Sequence, residues 1–365
     1  MEGKRDKGFI VTCAIYTFVL VAFVLLRIFV SIGMFNKISE AASDVLFSVL
    51  AQVIIMFAIP VLLFTRYLKK RQSPQMTFAE FTATPEGALP VGGNAFSQWG
   101  FKKTRASTFA WAVLLGLLLF LFNIFVSSFF NGILALFGHR GAAGGGGDSN
   151  FFGVWGLFVA LLLTAVLPGL CEETAHRGLL MRGFAARLGI MRAVWLAALL
   201  FGLMHLNIVQ CFYAIVLGYL MGIAVYATRT IWTAVIMHFM NNAIGVYLGF
   251  AHDNGWFGGH LMSDLGNFLG NVSFLFYVAF FVAVYFAIVA IIHKLARDNF
   301  IRDHKNDEGG PRLHPRRGMT AVKYYITYGE KRERQPLGAL ERTLICGVTF
   351  LGIVITGMTL VWGFL

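Results

Sequence analysis

The chain has 365 residues, and its composition excludes an ordinary soluble domain. Apolar residues make up 58% of the sequence, charged residues only 13%, and the mean hydropathy is +0.71. The formal net charge of +12 could suggest nucleic-acid binding, but the basic residues cluster in alternate loops between apolar stretches. We therefore expect an integral membrane protein that does not bind nucleic acid.

Apolar stretches long enough to cross a bilayer recur along the whole chain, since a span needs about 20 mostly apolar residues. They predict an all-α, polytopic membrane protein with eight or nine transmembrane helices. The first stretch is too long for a signal-peptide core and lacks a small-residue cleavage site, so we expect it to be an uncleaved helix. The predicted spans are 8–36, 42–65, 108–137, 153–175, 192–207, 209–228, 231–250, 272–293 and 343–364.

The distribution of Lys and Arg predicts how the chain is oriented. Basic residues precede the first span and follow the second, fourth, sixth and eighth, whereas the other loops hold only Lys37 and Arg140. Basic loops normally face the cytoplasm. We expect a multi-pass protein of the cell membrane with a cytoplasmic N-terminus and an external C-terminus.

The loops divide the sequence into three regions. Residues 1–150 hold the N-terminal helices and a polar cytoplasmic loop, 66–107. Residues 151–250 form a compact block with very short loops. Residues 251–365 hold the last helices and a basic loop, 294–342, whose composition predicts disorder.

Three polar patches interrupt the apolar helices of the 151–250 block: 172–177, 201–205 and 238–242. Ionisable side chains within a bilayer cost a few kcal/mol each, so they usually mark a functional site. Counting helical rise from the nearest cytoplasmic arginines places the three patches at a similar depth. We expect them to line one buried, hydrated cavity that is reached from the cytoplasm.

Residue spacing distinguishes the two carboxylates of the first patch. Glu173 and Arg177 lie four apart on one helical face, which predicts an ion pair. Glu172 is then the carboxylate without an obvious partner, and it is the candidate for chemistry. His238 and Asn242 are also four apart and should share a face, whereas the spacing makes Asn241 a bystander.

The residue types in the 151–250 block exclude several hydrolytic mechanisms. It contains no Ser, Asp or Lys, so it cannot assemble a Ser-His-Asp triad, a Ser-Lys dyad or an aspartyl pair. Its cysteines, Cys171 and Cys211, lie in apolar helices, where a thiol is poorly reactive. The remaining ionisable candidates in the block are the acids Glu172 and Glu173 and the histidines His176, His205 and His238.

Together, Glu-Glu-x-x-x-Arg, Phe-x-x-x-His and His-x-x-x-Asn, in that order, resemble the motifs of the CPBP family (CAAX protease and bacteriocin-processing, also called Abi). This family of intramembrane endopeptidases includes the Rce1-like prenyl-protein proteases. The resemblance covers roughly 155–250. It implies that Glu172 and His205 activate water, that His238 and Asn242 stabilise the oxyanion, and that Glu173 with Arg177 supports the site.

One position departs from the family pattern. The residue before the motif arginine is commonly aromatic in the family and is His176 here. We expect this departure to affect how the substrate fits rather than the chemistry.

The resemblance leaves open whether the hydrolysis depends on zinc or is metal-free. Glu172, His205 and His238 make a plausible set of zinc ligands. We expect a metal-free enzyme without a cofactor, because the helix lacks His-Glu-x-x-His. The implied partner is a protein or peptide substrate in or at the lipid bilayer, and it is lipid-modified in some members.

Two functions from other classes remain open. The buried polar cluster is also compatible with a proton- or ion-coupled transporter, although no inverted repeat relates the halves of the sequence. A non-catalytic membrane scaffold could share the fold, although the intact motifs count against it.

Overall fold

The computed structural model describes residues 8–71, 99–139, 154–303 and 337–362. Within these ranges the chain is helical and contains no β-strand. In the described part of the chain, eight helices are long and apolar enough to cross a membrane, which confirms the predicted all-α, multi-pass class. The parts of the two predicted loops between 72 and 98 and between 304 and 336 lie outside the described residues.

The helices are numbered here in chain order, and consecutive α- and π-helical segments count as one helix. Two helices contain π-helical turns. The bounds of α1 are Gly8–Ser31, and α2 consists of Glu40–Ser48, the π-helical Val49–Ala58 and Ile59–Arg71. The bounds of α3 are Ala106–Leu136. The segments of α4 are Val154–Leu161, the π-helical Leu162–Val166, Leu167–Glu173, the π-helical Thr174–Leu180 and Met181–Leu188.

The remaining helices follow after short connections within the described residues, except before the last. Their bounds are Ile190–Leu203 for α5, Ile208–Thr228 for α6, Trp232–Asn254 for α7, Leu261–Asn271 for α8, Phe274–Asp303 for α9 and Ala339–Trp362 for α10.

The fifth predicted span, 192–207, is shorter than expected. Helix α5 has 14 residues, about 21 Å at 1.5 Å per residue, whereas a bilayer core is about 30 Å thick. It ends at Leu203 because the polar segment that follows turns the chain, with Leu206 at a positive φ of 51°. Asn207 then caps α6 by accepting a hydrogen bond from the Val209 N–H.

Three other predicted boundaries were wrong. Helix α4 does not end at 175 but continues to Leu188, so the first polar patch lies within a long helix. The loop predicted at 294–342 is helical at both ends, because α9 continues to Asp303 and α10 begins at Ala339. The loop predicted at 66–107 is shortened in the same way by α2 and α3.

Contacts at or near the helix ends show which ends lie together. The Ile231 N–H donates to the Gly100 carbonyl (3.0 Å), Asn299 Nδ2 donates to the Ala227 carbonyl (2.8 Å), and Arg187 pairs with Glu341 (2.9 Å). These contacts lie at the end of the bundle that carries the basic loops, which is called the basic end here. At the opposite end, the Ile208 N–H donates to Thr359 Oγ1 (2.9 Å). Helix α10 therefore runs away from the basic end, as the predicted orientation requires; that the basic end faces the cytoplasm remains a prediction.

Helices α5 and α6 form a tight hairpin beside α4. Gly202 permits this approach, because a Cβ there would lie 2.6 Å from the Cys211 carbonyl oxygen and 2.3 Å from Ile215 Cγ1. Gly189, at φ 78°, makes the turn from α4 into α5. The hairpin brings the second polar patch to the first.

Candidate active site

One cavity of about 360 Å³ is lined by side chains from all three polar patches. Its wall contains Glu172 from α4, His205 from the α5–α6 turn, and His238 and Asn242 from α7. The expected convergence of the three patches is therefore present. The wall also includes residues of α1 and α2, outside the 151–250 block: Phe23, Arg27, Phe47, Ser48, Ala51, Gln52 and Met56.

The two adjacent glutamates differ in burial and in partners. Glu173 is fully buried, with 0% of its side chain exposed, and its Oε1 lies 2.8 Å from Arg177 Nη1, which is the predicted ion pair. Glu172 is 13% exposed at the cavity wall. Its Oε1 accepts a hydrogen bond from Gln52 Nε2 at 2.8 Å, so its direct partner is a neutral amide from α2.

His238 lies between the two glutamates. Its Nδ1 is 2.9 Å from Glu173 Oε1, and its Nε2 is 4.0 Å from Glu172 Oε2. Because an ionised carboxylate only accepts hydrogen bonds, the contact with Glu173 implies that Nδ1 of His238 carries a proton. The neutral ring then presents Nε2 to the cavity as an acceptor, and only the doubly protonated ring donates there.

The backbone and the ring of Phe201 contact His205 and the other motif residues. His205 Nδ1 lies 3.0 Å from the Phe201 carbonyl oxygen, which assigns a proton to Nδ1 and leaves Nε2 as an acceptor. The Phe201 ring makes edge contacts with the rings of His176, His205 and His238, with centroid distances of 5.0, 5.2 and 5.7 Å. The Arg177 guanidinium lies 4.8 Å from the centroid of the same ring. Phe201 therefore packs the motif residues against one another.

Asn242 is the last member of a chain of side-chain hydrogen bonds. Asn123 Nδ2 donates to Asn241 Oδ1 (3.1 Å), Asn241 Nδ2 donates to Asn242 Oδ1 (2.9 Å), and Asn242 Nδ2 donates to the Thr164 carbonyl (2.9 Å). Pro168 has no N–H to donate to that carbonyl four residues earlier, which favours its use by Asn242. The second N–H of the Asn242 amide is available to a ligand. Asn241 is therefore no bystander, since it orients Asn242 and also lines the cavity.

Arg177 is buried beneath the cavity and is fully paired. In addition to Glu173, it donates from Nη2 to the Gly218 carbonyl at 2.7 Å. A buried guanidinium needs such partners, because removing one of them leaves an uncompensated charge. Glu173 and Arg177 thus connect α4 with α6 and α7.

His176 does not line the cavity and is fully buried. Its Nδ1 lies 2.8 Å from the Glu172 carbonyl oxygen, and its Nε2 lies 3.1 Å from the hydroxyl of Tyr16 in α1. His176 therefore makes no direct contact with the cavity, and its effect on substrate fit stays a prediction. His176 links α1 to the backbone of the helical turn that carries Glu172.

The cavity extends from Glu172 away from the basic end. Thr164 lies eight residues before Glu172, about 12 Å along the axis of α4, and Gln210 is near the start of α6. On the basic side of Glu172, α4 is packed by fully buried residues that include Leu179, Leu180 and Phe184. Because α5 stops part-way across the bundle, its end and the following turn form part of the wall. The expectation that the cavity opens toward the basic loops is therefore not supported.

Residues from outside the predicted block were missed by the sequence analysis. Gln52, Arg27, Asn123 and Tyr16 come from the first three helices and contact or line the site. Arg27 is the only charged residue in α1, and Gln52 is the only strongly polar residue of the π-helical segment of α2. The rule that singled out Glu172, an unexplained polar residue inside a span, also applies to these two.

The zinc alternative, with Glu172, His205 and His238 as ligands, stays a prediction. Across the described residues, no group of three or more His, Cys, Asp or Glu side chains has the geometry to hold a metal ion. Glu172, His205 and His238 line the same cavity. Two of the three also make hydrogen bonds that fix their rings, from His238 to Glu173 and from His205 to Phe201.

Comparison with models of known protein families gives a match in the region of the site. Residues 154–244 match a family model described as Type II CAAX prenyl endopeptidase Rce1-like. The match confirms the predicted resemblance and covers about a quarter of the chain, from the start of α4 to the middle of α7. Neither the search of curated proteins nor the search of solved structures found a match. An Rce1-like region in a multi-pass membrane protein indicates a membrane protease.

Proposed function

We propose that the protein is an intramembrane endopeptidase that hydrolyses a peptide bond of a membrane-associated or lipid-modified protein or peptide. One observation carries the proposal: Glu172, His205, His238 and Asn242 line one cavity that also overlaps the Rce1-like region. The cavity of about 360 Å³ is large enough for a short stretch of extended peptide.

Glu172 is proposed to act as the general base. Gln52 holds one carboxylate oxygen, which leaves the other directed toward His238 across a gap of 4.0 Å. A water in this region can donate one hydrogen to Glu172 and the other to Nε2 of His205, which is an acceptor. Gln52 Oε1 is buried and has no donor among the described residues, and a buried acceptor of this kind favours a bound water.

The proposed reaction has two steps and no covalent intermediate. Water loses a proton to Glu172 as its oxygen bonds to the scissile carbonyl carbon, and the carbonyl electron pair moves to oxygen. Asn242, through its second N–H, stabilises this oxyanion, and His238 adds a donor when its Nε2 also carries a proton. The carbonyl then re-forms, the C–N bond breaks, and the proton on Glu172 passes to the leaving amine.

The proposed enzyme works without a metal or another cofactor. The arrangement of Glu172, His205 and His238 supports this choice, since each has a role that does not require a cation. The zinc-dependent form of the same reaction is the alternative that the test below separates.

Membranes from cells that lack the gene supply candidate substrates for the test. Purified protein is incubated with these membranes in water enriched in ¹⁸O, and new protein termini are identified by mass spectrometry. We expect new C-termini that carry one ¹⁸O, and we expect the same yield after prolonged dialysis against a strong chelator. Loss of activity with loss of one zinc per chain would establish the metal-dependent form. No new termini would contradict the proposal and favour a transporter or a scaffold.

A further inference from the structure

The cavity wall contains one residue with a permanent positive charge, and the proposed reaction does not use it. Arg27 of α1 lines the cavity, and among the described residues of this lining Glu172 is the only Asp or Glu. Among the described residues, Arg27 forms no ion pair. An Arg within a membrane span normally has a partner or a function.

Two aromatic rings hold the guanidinium of Arg27 at the wall. Its Cζ lies 5.6 Å from the centroid of Phe23 and 5.3 Å from the centroid of Phe47, and both rings also line the cavity. One ring belongs to α1 and the other to α2. Contacts of this type stabilise a cation but leave its N–H groups free to bind an anion.

The position of Arg27 separates it from the reacting groups. It lies four residues before the end of α1 at Ser31, on the side of the bundle toward which the cavity extends. Glu172 lies deeper, in the middle of α4. One cavity therefore has a carboxylate at its inner part and a guanidinium nearer its outer part.

We propose that Arg27 binds a carboxylate of the substrate peptide, either the terminal carboxylate or an Asp or Glu side chain. The inference rests on the proposed protease function and specifies the class of its substrate. Guanidinium and carboxylate groups match in geometry and can form two parallel hydrogen bonds. This contact places the acidic group on the outer side of the scissile bond and sets the direction in which the peptide lies in the cavity.

Binding to an inactive protein tests the proposal without requiring cleavage. The Glu172→Gln protein in zwitterionic lipid nanodiscs is incubated with randomised decapeptides prepared in three forms. These are free acids without Asp or Glu, the same sequences as C-terminal amides, and amides that contain a single Glu. Bound peptides are quantified by mass spectrometry. The first and third forms distinguish a terminal carboxylate from a side-chain carboxylate.

We expect at least one acidic form to bind roughly 10- to 100-fold more tightly than the plain amide, as a charge-assisted contact would give. Adding Arg27→Gln should abolish this preference and leave amide binding unchanged. Arg27→Lys should retain part of it. Arg66→Gln is the matched control, because Arg66 lies near the basic end of α2 and does not line the cavity.

Two outcomes would overturn the inference in distinguishable ways. Equal binding of all three forms, or a preference that persists in the Arg27→Gln protein, would show that Arg27 does not bind a substrate carboxylate and would leave the protease proposal standing. Failure of every peptide form to bind would contradict the protease proposal and this inference with it.

Discussion

At the residue scale, Glu172 and Glu173 hold adjacent carboxylates in different environments. Glu173 is fully buried and accepts from both Arg177 and His238, whereas Glu172 meets the cavity and the neutral amide of Gln52. A carboxylate that is paired with two cationic or polar side chains stabilises the packing of the helices. One that faces a cavity is suited to proton transfer.

Glu173→Gln should therefore lower both stability and activity. It removes the charge that pairs with buried Arg177, and breaking such a pair typically costs about 3–5 kcal/mol. We expect a clear fall in the unfolding temperature, measured in detergent, together with a loss of cleavage. Glu172→Gln is the matched control and should unfold at nearly the wild-type temperature. Equal unfolding temperatures for wild type and Glu173→Gln would contradict the structural role of the pair.

Asn242→Ala should slow turnover by ~10²–10³-fold, the usual effect of removing one oxyanion donor. The Michaelis constant should change little, because the donor acts mainly in the transition state. Steady-state kinetics on a substrate identified from the membrane fraction would measure both. Asn123→Ala should give a smaller decrease, since Asn123 acts through Asn241. A large rise in the Michaelis constant with unchanged turnover would instead make Asn242 a substrate-binding residue.

At the element scale, the position of His205 depends on how closely α5 and α6 pack. Gly202→Ala would place a methyl group 2.6 Å from the Cys211 carbonyl oxygen, so the two helices would have to separate. We expect a lower unfolding temperature and a strong loss of activity. Gly249→Ala in α7 is the control, because no atom outside its own helix lies within 4 Å of the added Cβ. A wild-type level of activity in Gly202→Ala would show that the hairpin tolerates separation.

Sequence periodicity and spacing predicted most helices and the meeting of the three patches, since both follow from local composition and an i, i+4 rule. The end of α5 was predicted at 207, four residues too late, because composition alone does not reveal the turn in which Leu206 has a positive φ. The contributions of Gln52 and Tyr16 depend on which helices pack against α4. The polarity of Gln52 within a span marks it as a candidate, but one sequence does not show which helix it faces.

At the scale of the whole molecule, the cavity and the basic loops lie toward opposite ends. The basic end is defined by contacts such as Arg187 with Glu341, whereas the cavity extends from Glu172 toward Thr164 and Gln210. If the basic loops are cytoplasmic, as their charge predicts, the site is reached from the external half of the bilayer. Substrates anchored on that side would then be favoured.

Thiol labelling in a background without the four native cysteines measures this access. A charged thiol reagent should react with the Asn242→Cys protein faster from outside the cell than from the cytoplasm. The Lys103→Cys protein tests the orientation separately, because Lys103 is exposed near the basic end and should react only from the cytoplasm. Faster labelling of the Asn242→Cys protein from the same side as the Lys103→Cys protein would contradict the direction of the cavity.

The central claim is that Glu172 activates water for peptide-bond cleavage. Quantitative membrane proteomics would compare protein termini in cells that carry the wild-type gene, no gene, or the Glu172→Gln variant at matched abundance. We predict that the termini lost without the gene are also lost with Glu172→Gln, while the variant protein remains folded and inserted. Wild-type termini in the Glu172→Gln cells would contradict the account.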